Sequence, residues 1–83
     1  MHTYLEKRQP AQKMARFYRM AVMPNLFGEW TLYREWGRIG QGGQVRMDWF
    51  EDENQAVAAL VTLEASKRQR GYWVEPQQLA MFR

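Results

Sequence analysis

A tryptophan, a glycine and an arginine follow one another at positions 36–38, and their side chains suit the binding of a nucleic acid. The flat indole of Trp36 can stack on a base or a sugar, and the planar guanidinium of Arg38 can hold a phosphate in bidentate geometry. Gly37 carries no side chain, so another backbone can approach it closely. Because Trp36 and Arg38 are two positions apart on a predicted strand, they share a face and could hold a nucleotide together.

Each of these residues also has a purely structural explanation. Trp36 could be a buried core tryptophan, and Arg38 a solvated strand arginine. Arg34 and Arg46 could be ordinary charges on the outer face of a sheet. We predict a nucleic-acid-binding site, with a surrounding positive field from three further basic residues. The site comprises Trp36, Gly37, Arg38, Arg34 and Arg46, and the field comes from Arg16, Arg19 and Lys13.

Residues typical of catalysis are scarce. The one histidine, His2, lies in a predicted N-terminal arm, and there is no cysteine. The acids at 51–53 stand at a predicted helix start, where capping explains them, and are not spaced like metal ligands around a loop. The glycines of residues 40–43 lack the following helix and Lys-Ser/Thr pair of a P-loop and fit a hairpin turn. We predict a protein that is not an enzyme, with no cofactor, no metal and no small-molecule substrate.

The charge is distributed unevenly along the chain. Residues 1–46 hold eight Lys/Arg and three acids, a balance of +5, whereas residues 47–83 hold four bases and six acids, a balance of −2. This asymmetry indicates an anionic partner for the first half, although charges on so small a surface can also cluster by chance.

The composition is that of one small folded domain. With 83 residues, 46% of them hydrophobic, the chain can build one core but not two. No apolar run reaches the length of a signal peptide or a membrane span, so we expect a cytoplasmic protein that does not enter membranes.

The chain reads as strands followed by a helix. Residues 1–14 are polar without a clean period and predict a loose basic arm. Alternating residues predict strands at 15–23, 29–39 and 44–50, with a glycine turn at 40–43. A bulge near Gly37 could exchange the faces of the second strand locally. In the third strand, Val45, Met47 and Trp49 are expected to point inward and Arg46 and Asp48 outward.

The apolar period changes from 2 to 3.6 after residue 51 and predicts a helix over residues 53–70. Asp52 is the expected N-cap and Gly71 the expected residue after the helix end. Residues 72–74 predict a short fourth strand. The fold class is therefore α+β, a small antiparallel sheet of order β-β-β-α-β with one helix on one face. We expect the domain at residues 15–75, between an arm at 1–14 and a tail at 76–83.

The ordered set of motifs resembles the WGR domain, a family named for its Trp-Gly-Arg triplet. An aromatic-rich strand, RFYRMAVM, is followed by WTLYREWGRIG, the glycine turn, QVRMDWF, and a helix ending in KRQRGY. The resemblance covers residues 17–72. It implies a small antiparallel sheet with one packed helix, in agreement with the periodicity.

The resemblance also implies a function. In DNA-dependent poly(ADP-ribose) polymerases the WGR domain contacts DNA near a strand break, its Trp stacking on the terminal nucleotide and its Arg making polar contacts there. Those roles map onto Trp36 and Arg38. The chain has no room for a transferase domain and resembles a stand-alone WGR protein.

Two functions remain open at this point. The first is binding of DNA ends, nicks or single strands without sequence preference. The alternative is a protein-interaction adaptor, or a homodimer, with no intrinsic DNA affinity; exposed Trp and Arg on a strand are also favoured at protein interfaces.

Overall fold

The computed structural model describes residues 1–73, which form four antiparallel strands and one helix. The strands lie in the sheet in the order β1-β2-β3-β4, and the helix packs on one face, so the predicted α+β class is confirmed. A 3₁₀ turn at Pro10–Gln12 joins the first two strands. The elements are β1 (His2–Gln9), β2 (Met14–Pro24), β3 (Trp30–Arg38), β4 (Gln44–Phe50) and α1 (Glu53–Gln69).

The core lies between α1 and the sheet face that it covers, which we call the helix face. Alternate residues of β2 and β3 point to this face because strand side chains have a period of two. Met20 of β2 and Leu32 of β3 are almost fully buried, and Ala56 and Leu60 of α1 pack against them. Burying each large aliphatic side chain contributes roughly 1.5–3 kcal/mol to folding. The opposite side of the sheet, which α1 leaves uncovered, is called the outer face.

The two ends of α1 are closed by specific hydrogen bonds. The carboxylate of Asp52 accepts from the backbone N–H of Gln55 at 2.8 Å, as the predicted N-cap requires. At the other end, the N–H of Gly71 donates to Arg68 and the N–H of Tyr72 donates to Lys67, which is a Schellman motif. Gly71 has a φ of 97°, a left-handed conformation that suits glycine.

The segment predicted as a loose arm is in fact a strand, because residues 2–9 pair along their whole length with β2. Leu5 is fully buried on the helix face, and this contact holds the strand in the sheet. The prediction was wrong because β1 is an edge strand whose remaining residues are mostly polar. Apolar and polar residues therefore hardly alternate along it, and the sequence gives little sign of a strand. The domain boundaries at residues 14 and 75 remain a prediction.

The predicted order β-β-β-α-β is corrected to β-β-β-β-α. After α1, Trp73 makes one isolated bridge to Glu6 of β1, with reciprocal backbone hydrogen bonds of 2.8 and 2.9 Å. The rest of the predicted last strand, residue 74, and the predicted tail at 76–83 lie outside the described residues.

The faces of β4 are the reverse of those expected. Val45, Met47 and Trp49 lie on the outer face and are exposed, whereas Arg46, Asp48 and Phe50 point to the helix face. The register decides this, because Leu32 of β3 faces α1 and Asp48 is its direct partner. Three of the four apolar residues of β4 lie in the outer row, so the alternation in its sequence indicated the wrong face.

No bulge interrupts β3 near Gly37, and the turn after it is closely packed. A Cβ at Gly43 would overlap the carbonyl oxygen of Trp36 and lie 3.1 Å from the ring of Phe17. A Cβ at Gly37 would lie 2.9 Å from the Cα of Gly43. The two glycines therefore let the turn fold back onto the strand that carries Trp36.

We predict that Gly43→Ala destabilises the domain by about 1–3 kcal/mol, because the added methyl forces the turn away from β3. Gly42→Ala is the matched control: its Cβ would meet nothing within 4 Å, and we expect a change within about 0.5 kcal/mol. Urea unfolding followed by circular dichroism measures both. Equal effects of the two substitutions would contradict this account of the turn.

Candidate nucleic-acid interface

A pair of stacked aromatic rings forms the floor of the candidate site. Tyr18 of β2 and Trp36 of β3 are direct cross-strand partners, with ring centroids 5.6 Å apart and planes 12° from parallel. Tyr18 is only 2% exposed, whereas Trp36 is half-buried. Trp36 is thus partly packed on the core and partly accessible. Its burial is intermediate between that of a core tryptophan and that of a ring free to stack on a nucleotide, the two alternatives considered from the sequence.

Arg34 fixes the orientation of these rings. Its Nε donates to the hydroxyl of Tyr18 at 2.9 Å, and its guanidinium carbon lies 5.7 Å from the Trp36 ring centroid. Its Nη1 is 3.5 Å from a carboxylate oxygen of Asp48. Cation–π contact and a carboxylate partner both hold the side chain in place. Arg34 is therefore held in place by its neighbours, and Asp48 compensates part of its charge.

The C-terminal end of α1 closes the other side of the floor. Lys67 places its Nζ 4.5 Å from the Tyr18 ring centroid, and Tyr72 meets the same ring edge-on at 6.2 Å. Lys7 of β1 lies over Tyr72, with Nζ 5.9 Å from the ring centroid. The Schellman motif is what brings Tyr72 back to the sheet beside the last turn of the helix.

Together these residues line a cleft of about 410 Å³ on the helix face, which we call the basic cleft. Among the residues that the structure describes, five of those that line the cleft are basic, three are aromatic and none is acidic. Within residues 1–73, only Arg34 among the five makes a salt bridge. In the described part of the chain, four of the five cations therefore have no acidic partner and lie next to aromatic rings. Its lining is Lys7, Met14, Arg16, Tyr18, Arg34, Trp36, Lys67, Arg70 and Tyr72.

The basic cleft continues toward the triplet through Arg16. This exposed arginine is the cross-strand partner of Arg38 and also lines two further depressions beside the basic cleft. One depression, of about 400 Å³, includes Lys13 and Arg38, and the other includes Trp36, Gly37 and Arg38. Trp36 and Arg38 share a face, and a continuous positive surface runs from Lys67 to Arg38.

The structure separates the residues singled out in the sequence into two groups. Trp36, Gly37 and Arg38 lie on the continuous surface, as do Arg34, Arg16 and Lys13. Arg46 lies on the helix face but outside the three depressions, and its Nε is 3.2 Å from Asp48. Arg19 is on the outer face, where Glu35 lies 3.3 Å from it, so it adds nothing to this surface. The part of each residue in binding remains a prediction.

Sequence reasoning missed the helical half of the cleft. From the sequence, Lys67 and Arg70 belong only to the end of the predicted helix, in the segment KRQRGY, and Tyr72 belongs to a predicted short strand. Their spacing carried a usable signal, since residues three apart share one side of a helix. That spacing places Lys67 and Arg70 on the same side of the helix. It does not indicate that this side lies next to Tyr18 and Trp36.

The surroundings of Lys67 lower its pKa below the ordinary value of 10.5. Burial is the main cause, and the positive charges of Arg70 and Arg34 add to it. The folded domain therefore holds this proton less well than the unfolded chain does. An anion bound in the cleft would raise the pKa of Lys67 again, because a nearby opposite charge favours the protonated amine.

Other kinds of site receive no support from the part of the chain that the structure describes. There, no group of three or more histidine, cysteine or acidic residues is arranged to hold a metal ion. Between residues 1 and 73, no helix combines the length and the apolar character needed to cross a membrane.

The fold and the cleft define a small α+β module with a cationic, aromatic surface on its helix face. Comparison with known proteins agrees with this class: the chain matches the WGR domain family over residues 1–78 and belongs to that family. WGR domains are generally nucleic-acid-binding modules.

One curated relative is similar over most of the chain. It is the uncharacterized protein y4dW of Sinorhizobium fredii (strain NBRC 101917 / NGR234), 45% identical over 73 residues. The match covers 88% of this chain but 36% of that protein, so the chain spans about a third of its relative's length. No solved structure matches the chain.

We predict that the contribution of Lys67 to stability rises with pH. Below its folded-state pKa the amine is protonated in both states, and its destabilising effect is fully present. As the pH rises through that pKa toward 10.5, the unfolded chain binds more protons than the folded domain, so the effect is relieved. Relative to wild type, Lys67→Met should therefore be more favourable at about pH 7 than at about pH 10.

Urea unfolding at both pH values measures this difference directly. Comparing the variant with wild type at each pH cancels the titration of the other groups. A difference between Lys67→Met and wild type that does not change with pH would contradict the assignment of Lys67 to a desolvated, cation-rich position.

Proposed function

We propose that this domain binds DNA ends, nicks or single strands without sequence preference, through the basic cleft and the adjoining Trp36-Gly37-Arg38 surface. The observation that carries the proposal is the composition of the cleft lining, which within residues 1–73 consists of five cations, three aromatic rings and one methionine, with no acid. Such a surface suits a ligand that presents phosphates and flat rings together, as nucleic acids do.

The proposed division of roles follows from exposure and charge. Trp36 is half-buried and borders two depressions, so part of its ring can receive a base or a sugar. Arg16, Arg38 and Arg70 are exposed and supply donors to phosphate. Lys67 and Lys7 add charge at the helix side. Tyr18 and Arg34 are held among other side chains and position the rings.

The size of the cleft favours a strand terminus or an unpaired strand. Its volume of about 410 Å³ lies within the roughly 300–1,000 Å³ of small-ligand sites, which suits one or two nucleotides better than a duplex. Stacking and phosphate contacts tolerate any base, so we expect little dependence on sequence. In this proposal the domain is a binding module without catalytic activity, acting in the cytoplasm.

Fluorescence anisotropy of labelled blunt, nicked and single-stranded DNA tests the proposal. If about four phosphates are neutralised, affinity should fall about 100-fold between about 50 mM and 200 mM salt. Preference for ends, nicks or single strands over uninterrupted duplex is expected. Binding that does not respond to salt would contradict the electrostatic account.

A matched pair of arginine substitutions distinguishes DNA binding in the cleft from non-specific attraction to the positive charge of the domain. Arg16 and Arg19 both lie on β2 and are exposed, but Arg16 lines the cleft and Arg19 is on the outer face. Arg16→Ala should weaken DNA binding by about 10- to 150-fold, as expected for the loss of a charged hydrogen bond worth about 1.5–3 kcal/mol. Arg19→Ala should leave it nearly unchanged, and equal losses would indicate non-specific attraction to the whole domain.

Substitutions within the triplet distinguish binding from folding. Trp36→Ala should reduce DNA affinity by about 1–3 kcal/mol if the ring stacks on a base. Arg38 is exposed, so Arg38→Ala should change stability by no more than about 0.5 kcal/mol while weakening DNA binding. Anisotropy together with thermal unfolding measures both effects. An unfolded Arg38→Ala variant would show that this residue is structural.

The alternative function, a protein-interaction adaptor with no DNA affinity, rests on a different surface. Val45, Met47 and Trp49 are exposed on the outer face, away from the cleft. Absence of DNA binding at low salt would favour the adaptor over the DNA-binding module.

A further inference from the structure

The outer edge of β4 is an open strand edge. This strand lies at one side of the sheet, and among residues 1–73 only β3 pairs with it. At the opposite side, the edge of β1 is partly covered by the bridge between Glu6 and Trp73. β4 has seven residues and pairs with β3 without a bulge, and it contains no proline or lysine. Its two charged residues, Arg46 and Asp48, point to the helix face and have opposite signs.

An apolar row runs along this same strand on the outer face. Val45 and Met47 are each 49% exposed, and Trp49 is 63% exposed. Monomeric proteins rarely expose a contiguous row of large apolar side chains beside an unpaired backbone edge, and such a combination marks an interaction surface.

The sequence of β4 is complementary to itself in an antiparallel arrangement. If two copies pair about a two-fold axis through Met47, all seven residues of each strand find a partner. Arg46 then lies opposite Asp48 of the second copy, twice by symmetry, on the helix face. On the outer face, Val45 lies opposite Trp49 of the second copy, and the two Met47 side chains meet at the axis. Opposite charges and apolar pairs directly across a ladder both stabilise it.

Other registers of the pair of β4 strands place like charges opposite each other or leave residues without a partner. Directly opposed residues must lie on the same face, so the axis has to pass through a residue. An axis through Arg46 places two arginines opposite each other, and an axis through Asp48 does the same with two aspartates. An axis through Val45 or Trp49 leaves several residues of each strand without a partner. Only the Met47 register combines full length with charge matching.

We propose that the partner of this edge is a second copy of the same chain, paired strand to strand in the Met47 register. The result is a symmetric dimer with one continuous eight-stranded sheet. Both basic clefts then lie on the same side of that sheet. With strands about 4.8 Å apart and a rise of about 3.4 Å per residue, the two Trp36 backbones are about 25 Å apart. The proposal does not depend on the nucleic-acid-binding function.

Sedimentation equilibrium of the wild-type protein, from about 10 μM to 1 mM, is the first test. The interface of two short strands is smaller than the roughly 1,200 Å² of stable complexes, so we expect association in the upper part of this range. The apparent mass should rise from 10.0 kDa toward twice that value. A constant mass of 10.0 kDa over the whole range would overturn the proposal.

Two charge reversals test the register itself. Arg46→Asp brings two pairs of acids together across the proposed interface, and Asp48→Arg brings two pairs of bases together, so each variant alone should be monomeric. An equimolar mixture restores opposite charges at both pairs and should recover the dimer. Arg46→Asp suits the fold because position 46 is the cross-strand partner of Arg34. Circular dichroism confirms that each variant is folded.

Further variants keep the test decisive. Asp48→Arg removes the carboxylate beside Arg34, so if it fails to fold, Met47→Asp replaces it and should also abolish association. Val61→Asp is the control, because Val61 is 52% exposed on α1, away from the edge, and this variant should dimerise like wild type. Charge variants that dimerise like wild type, or folded variants whose mixture stays monomeric, would overturn the Met47 register.

Discussion

The contact on which the candidate site depends is the stack of Tyr18 against Trp36. Tyr18 belongs to the core on one side and to the basic cleft on the other, and its ring is surrounded by Trp36, Arg34, Lys67 and Tyr72. Because these groups come from β2, β3 and the end of α1, the ring holds three elements in one arrangement. Anything that moved Tyr18 would therefore disturb both the packing of the helix end and the position of Trp36.

This arrangement concentrates like charges at some cost to the free domain. The lowered pKa of Lys67 is a sign of that cost, since burial and two neighbouring cations disfavour its charged form. Aromatic faces offset part of it through cation–π contacts, and Asp48 compensates Arg34. A bound phosphate would relieve the remaining repulsion. The cations of the cleft are thus more favourably placed with an anion than without one.

Much of the sheet could be predicted from local patterns, because alternation, the glycine turn and the capping residue Asp52 are properties of short segments. The strand β1 was missed because an edge strand with one buried aliphatic residue, Leu5, has little periodic signal. The two faces of β4 were predicted the wrong way round. Which face the helix covers depends on the register with β3, and the sequence of β4 alone does not determine that register. Trp36 and Arg38 were found from their residue types, whereas Lys67 and Tyr72 reach the site only through the docking of the helix end.

The central claim is that nucleic acid lies in the basic cleft on the helix face. Chemical-shift mapping of the ¹⁵N-labelled wild-type domain with a short single-stranded oligonucleotide tests this most directly. The account predicts shifts at the indole of Trp36 and at the amides of Lys7, Arg16, Lys67 and Tyr72, with the outer-face residues of β4 unaffected. Shifts confined to β4 and the outer face, or no shifts at low salt, would contradict it.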